Sequence, residues 1–252
     1  MSDYDESMSS PNLSRWGLWA TLGWSLGIIG LFIVSQTFVL VVIVTVVAMV
    51  HPELDPNQLT AQIANNGLVL SIATLVSTSV CMGAIAFLIE RRRGAGLKRY
   101  LELHRPDWRS LLLWCFITIG LIYGLDYLKS LIDAFVDRQP SSFTEDIYNT
   151  AQFIPLLYLA VAVAAPLFEE FFFRGFLFQG LYHSWVGTWG AVIVSSALWA
   201  VIHLQYDIYD IGSIFVFGVV LAIAQIRTRS LYVPIAMHAL NNFIALAHAS
   251  TG

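Results

Sequence analysis

Between Phe153 and Leu181 a long apolar run is interrupted by three ionisable side chains, Glu169, Glu170 and Arg174, all within six residues. They lie in the stretch Pro166–Gln179, PLFEEFFFRGFLFQ. An ionisable side chain at the middle of a bilayer costs about 2.5–3.5 kcal/mol on the insertion scale. Three so close together therefore need partners inside the protein. On a helix Glu170 and Arg174 are four apart on one face, acid before base, which is the favourable order. Glu169 points about 100° away and has no such partner in its own helix. The pattern predicts one structural carboxylate and one left for chemistry.

The surroundings of this stretch are those of a membrane protein. Of 252 residues 57% are hydrophobic and only 12% charged, whereas soluble domains carry about 25% charge. The mean hydropathy is +0.69. A net charge of −4 without a basic tail excludes nucleic acid as a partner. Cys81 and Cys115 both fall in apolar segments and read as small packing residues, neither a disulfide nor a metal pair. Residues 1–15, MSDYDESMSSPNLSR, are acidic and Ser-rich, unlike a secretory signal or an Arg-rich transit peptide. They are expected to form a disordered cytoplasmic tail, with residues 16–252 as a single transmembrane domain.

A span needs about 20 apolar residues. Seven are predicted: Trp16–Val50 as one long or tilted helix, then about 68–88, 108–136, 151–182, 188–204, 211–226 and 231–249. The loop after the second carries Arg91, Arg92, Arg93, Lys98, Arg99, Arg105 and Arg109, and Arg227 and Arg229 follow the sixth. The positive-inside rule puts both in the cytoplasm, and with them the N-terminus. The fold class is all-α, a polytopic transmembrane bundle. Asp126, Lys129 and Asp133, at spacings of three and four, read as ion pairs among themselves at the interface rather than a polar funnel. Pro166, three residues before Glu169, removes a backbone donor and is expected to kink its helix and free carbonyls beside the acid.

Three more polar groups stand on greasy segments: His203, His238 and Asn242. Glu169 and His203 are almost equidistant from the turn near residues 185–187, about 24–26 Å along their helices. His238 lies only about 14 Å from the turn before it, a mismatch of about 10 Å that tilt would have to absorb. His238 and Asn242 share one face, and His203 shares one with Trp199 and Ser196. Each alone has a plain reading: a packed histidine, or an asparagine bonding between helices. Together they suit a carboxylate that activates water as general base, with imidazole or amide donors for an oxyanion. Glu169, His203 and His238 would equally suit a zinc ion. The HExxH signature is absent, and no Ser–His or Cys–His pairing is evident. A proton-coupled transporter would use the same groups as a relay but should carry repeats, and none is found. A haem or pigment protein would use the two histidines as axial ligands.

Glu169-Glu170-xxx-Arg174, Trp199-xxx-His203 and His238-xxx-Asn242, in that order, resemble the three motifs of the CPBP family of intramembrane proteases. CPBP stands for CAAX protease and bacteriocin-processing; the family is also called Abi and includes the type II CAAX prenyl endopeptidases. The resemblance covers residues 153–247, with Trp199 where the family usually has Phe. It implies hydrolysis of a peptide bond in a membrane-anchored peptide or protein, and the short acidic N-terminus without a targeting pattern points to a bacterial-type cell membrane. Glu169 would activate water and His203 would orient it. His238 and Asn242 would stabilise the oxyanion, with Glu170, Arg174 and Trp199 in support; the family is commonly called metalloprotease, which makes zinc on Glu169, His203 and His238 an optional cofactor. A non-catalytic scaffold or immunity protein that retains the site is the alternative within the same family. His51, His104, His183 and His248 match no motif and receive no role.

Overall fold

The computed structural model describes residues 15–53, 55–64, 66–92, 96–136, 138 and 140–251, and among these there are helices and turns but no strand. The N-terminal tail expected over residues 1–15 lies, Arg15 apart, outside the described residues. In chain order the helices are α1 Leu18–Val50, α2 Pro56–Ala64, α3 Gly67–Arg91, α4 Leu97–Tyr100, α5 Trp108–Asp133, α6 Phe143–Asn149 and α7 Ile154–Tyr182, followed by α8 Gly187–Val201, α9 Ile208–Thr228 and α10 Tyr232–Ala249. Their starts follow from local chemistry. Asn66 accepts from the amides of Leu68 and Val69, Asp107 from that of Ser110, and Asp207 from those of Tyr209 and Asp210.

Each predicted span corresponds to one helix, but the seven are unequal. Five are long and apolar enough to cross a membrane: α1, α3, α5, α7 and α9. Helix α8 has 15 residues, about 22 Å of helix against a hydrocarbon core of about 30 Å. Helix α10 has 18 residues and carries His238, Asn241 and Asn242. Large apolar side chains stay exposed along α1 and α5, including Leu26, Phe38, Leu113 and Phe116. Such continuous apolar surface is what a lipid-facing helix presents. The chain is a multi-pass membrane protein.

Helix α7 is the most buried of the five long helices. It packs against α1, α3, α8 and α10. Phe32 of α1 stacks on Phe168 at a centroid distance of 5.0 Å. At Gly180 a Cβ would lie 2.2 Å from the Thr21 hydroxyl oxygen, so α1 and α7 approach this closely only because the position is glycine.

Helix α7 is not regular. Two stretches, Leu159–Ala164 and Phe171–Leu177, bond five residues back instead of four, and Ala165–Glu170 between them is ordinary α-helix. Wide turns of this kind are rare and often mark functional positions. Pro166 stands just beyond the first, where its missing N–H cannot continue either pattern.

Of the pairing expected among Asp126, Lys129 and Asp133 only Asp126–Lys129 is seen, and three neighbours, Arg138, Asp207 and Asp210, join the cluster. Lys129 bonds Asp126 within α5 and also Asp210 of α9, each at 3.0 Å. Asp133 pairs with Arg138 at 3.5 Å, and Arg138 reaches Asp207 and Asp210 at 2.8 Å. Burial opposes charge on Asp207, but hydrogen bonds from Arg138 and from the amides of Asp210 and Tyr209 outweigh it and lower its pKa from 3.8 to about 2. A carboxylate depressed on folding contributes stability above its unfolded value and loses it as pH falls towards the folded one. The thermal midpoint should therefore drop between about pH 4 and pH 2. In Asp207→Asn that drop should be distinctly smaller; a slope equal to that of the wild type would show that this clasp does not couple to folding.

Candidate active site

The buried half of the cluster is held by three helices. Glu170 and Arg174 are fully buried on α7, and the Arg174 Nη1 donates to Glu170 Oε1 at 3.1 Å. His238 of α10, also buried, donates through Nδ1 to the same oxygen at 2.8 Å. The other guanidinium nitrogen, Nη2, donates to the carbonyl of Gly218 on α9 at 3.1 Å, and the guanidinium carbon lies 4.5 Å from the Trp199 ring centroid. Gly218 is required for this closeness. A Cβ there would come within 3.0 Å of the Trp199 ring, 3.1 Å of Arg174 Nη2 and 3.1 Å of Ser196. Glu170 is thus committed to holding α7 and α10 together.

Glu169 has a different setting. Its side chain keeps 17% of its exposure. One oxygen, Oε2, accepts from the indole N–H of Trp199 at 2.5 Å and faces His238 Nε2 at 3.8 Å. The Trp199 ring sits edge-on between the two histidines, 5.3 Å from His203 and 5.1 Å from His238 by centroids. His203 lies just past the end of α8, where its Nδ1 bonds the carbonyl of Trp199 at 2.8 Å. A carbonyl only accepts, so that nitrogen carries the proton and Nε2 presents a lone pair. Tyr206 stacks beyond His203 at 6.3 Å and bonds Thr144 through its hydroxyl at 3.1 Å.

Asn242 is turned to the backbone. Its Nδ2 donates to Val161 O at 2.9 Å and its Oδ1 accepts from Asn241. The reason lies in α7. The N–H of Ala165 goes five back to Ala160 O, and Pro166 has none, so neither residue that could bond Val161 O within the helix does so. The proline at 166 frees a carbonyl, and the amide of Asn242 takes it.

Among the described residues no three His, Cys, Asp or Glu side chains are arranged to share a metal ion. His238 turns Nδ1 to Glu170, and His203 turns Nδ1 to a carbonyl. Bonding through Nδ1 leaves Nε2 of both rings for another partner, so Glu169, His203 and His238 are the residues that would hold a zinc ion, although they do not form a closed set as placed. Cys81 and Cys115 are free thiols away from one another, the first buried.

Several contributors carry no readable sequence signal. The indole N–H bond of Trp199, the Gly218 carbonyl and the amide of Gln225, which donates to the Arg174 carbonyl at 3.0 Å, are long-range contacts. A buried glutamine on an otherwise apolar span was the one available hint for the last.

A helical, multi-pass membrane protein with acid, imidazole and indole groups gathered from α7, α8 and α10 is the class that fold and site define. Residues 151–244 match the family described as type II CAAX prenyl endopeptidase Rce1-like. The chain is 28% identical over 152 residues to the membrane-embedded CAAX protease MroQ of Staphylococcus aureus, covering 58% of this chain and 60% of that protein. It is 27% identical over 107 residues to the putative membrane peptidase YdiL of Bacillus subtilis, covering 42% and 43% respectively. The matches therefore span less than two thirds of these relatives' own length. No solved structure matches. The resemblance carried by the three motifs extends through the segment that holds them, and over that segment the chain is similar to CAAX-type membrane proteases.

Proposed function

We propose that this chain is an intramembrane endopeptidase that hydrolyses a peptide bond of a membrane-anchored peptide or protein, using water activated by Glu169. The observation that carries this reading is the unequal treatment of two adjacent carboxylates. Glu170 is buried and spent on Arg174 and His238, while Glu169 stays partly open, aligned by one indole N–H and facing an imidazole nitrogen across 3.8 Å. A gap of that length suits a bridging water. The match to the Rce1-like endopeptidases and the description of MroQ as a CAAX protease support the same reaction class.

In this mechanism Glu169 takes a proton from water as the oxygen attacks the carbonyl carbon. The Nε2 lone pair of His203 accepts the other water hydrogen and orients the attack. His238, entering the reaction as the imidazolium with its Nδ1–H on Glu170, donates from Nε2–H to the oxyanion of the tetrahedral intermediate and keeps that proton throughout, and the second amide hydrogen of Asn242 supplements it. Glu169 then delivers its proton to the leaving nitrogen as the C–N bond breaks. Arg174 holds Glu170, Glu170 holds His238, and Trp199 holds Glu169.

The test is cleavage of a panel of membrane-anchored peptides by the protein in vesicles, read by mass spectrometry with and without a strong chelator. The expected result is cleavage that survives chelation, since no three of the described His, Cys, Asp or Glu side chains are arranged to share an ion. Loss of turnover restored by added zinc would bring a metal into the reaction and overturn the metal-independent scheme. An intact panel would overturn the protease reading.

A further inference from the structure

Helix α7 departs from α-helical bonding on both sides of Glu169 and Glu170, and each departure is met by a side-chain amide from another helix. On the N-terminal side Asn242 of α10 bonds Val161 O. On the C-terminal side the N–H of Phe178 reaches five back to Phe173 O, whereas that of His183 reaches four back to Gln179 O. A change from five-back to four-back bonding leaves one carbonyl over in the stretch between. Gln225 of α9 donates into that stretch, to Arg174 O at 3.0 Å. Gln225 is 1% exposed, and its amide nitrogen also faces Glu102 Oε2 at 3.3 Å.

We infer that Gln225 is a positioning residue, whose amide, paired with that of Asn242, latches the wide turns flanking the carboxylates and so sets the direction in which Glu169 points. This rests on the reading of Glu169 as the base. The physical argument is rotational. Closing one wide turn to ordinary helix shifts the residues on one side of it by one position relative to the other, about 100° around the axis, and the C-terminal end of α7 is fixed by the close contact of Gly180 with Thr21. Glu169 and Glu170 would then leave their partners on α8 and α10. An amide is suited to the task because it offers a donor to a buried carbonyl without adding charge. Arg174 links the two ends of the argument, for its carbonyl is bonded by Gln225 while its guanidinium bonds Glu170.

The experiment reads the Trp199–Glu169 hydrogen bond directly, independent of any cleavage. The protein in detergent micelles, with 15N-labelled tryptophan, gives one indole N–H resonance per tryptophan, and Trp199→Phe assigns the one of interest. In Gln225→Met that resonance should move towards its position in Glu169→Ala. Gln225→Asn keeps the buried amide but is one methylene short of Arg174 O; it should behave alike and serves where the methionine variant fails to fold. Leu221→Ala, equally buried one turn away on α9, should lower the thermal midpoint and leave the resonance in place. Where a cleaved peptide is in hand, kcat should fall by about a hundredfold with KM within about twofold, the scale of a misplaced catalytic group. A Trp199 resonance unmoved in both Gln225 variants, or moved as far by Leu221→Ala, would overturn the inference. A moved resonance in a protein that cleaves no peptide would leave the latch standing and remove the protease.

Discussion

Glu169→Gln is expected to lower turnover by about a thousandfold, within the range for loss of a general base, without loss of the fold. Glutamine has the shape of glutamate, and its carbonyl oxygen can still accept the Trp199 indole N–H. It cannot take a proton from water. The cost to folding should be small because the side chain is partly open and makes no ion pair with Arg174. Peptide cleavage and thermal unfolding of the same preparation separate the two effects. The adjacent Glu170→Gln is the informative contrast. It removes the charge opposite a buried guanidinium and weakens the bond to His238, so stability should fall along with activity. Turnover retained in Glu169→Gln would move the base to another group and undo the mechanism above.

Arg174→Met should destabilise the protein by about 3–5 kcal/mol, the usual result of breaking a buried ion pair by removing one partner. Three contacts disappear together: the bond to Glu170, the bond to the Gly218 carbonyl and the cation over the Trp199 ring. The Glu170 carboxylate keeps only His238 in an apolar setting, and the Gly218 carbonyl on α9 loses its side-chain donor. Methionine fills similar length, so a cavity is not the main term. Adding Glu170→Met should recover a large part of the loss, since a buried pair replaced on both sides by apolar groups is often close to neutral. Unfolding of the single and double variants in mixed micelles checks this. A double variant no more stable than Arg174→Met would show that packing around the guanidinium, and not its charge, holds the helices.

Part of this arrangement is legible in the sequence. The i, i+4 spacing of Glu170 and Arg174 is a property of one helix, and the pair forms at 3.1 Å. The equal depth assigned to Glu169 and His203 rested on the same regular rise; what the structure shows is that both side chains meet Trp199, Glu169 at the indole N–H and His203 at the ring. The mismatch of about 10 Å assigned to His238 from helix lengths is absent, for that ring bonds Glu170 at 2.8 Å. The length argument took α7 as regular and ran the next helix through His203, whereas α7 contains two wide turns and α8 ends at Val201. Likewise Trp199 could be read as an aromatic wall, but not as the donor to Glu169.

Sequence by itself determined which segments are apolar helices long enough to span lipid, and that two of the three charges within six residues of α7 would neutralise each other. Those outcomes depend on bonding within a few residues and on the cost of an unpaired charge away from water. Only the tertiary structure decided which groups from α8, α9 and α10 meet them, with Trp199, Gly218, Gln225 and His238 standing 30 to 68 residues away along the chain. Such contacts turn on the rotation of each helix about its axis, and in α7 that rotation is set by where a five-back turn falls and which amide from a neighbour accommodates it.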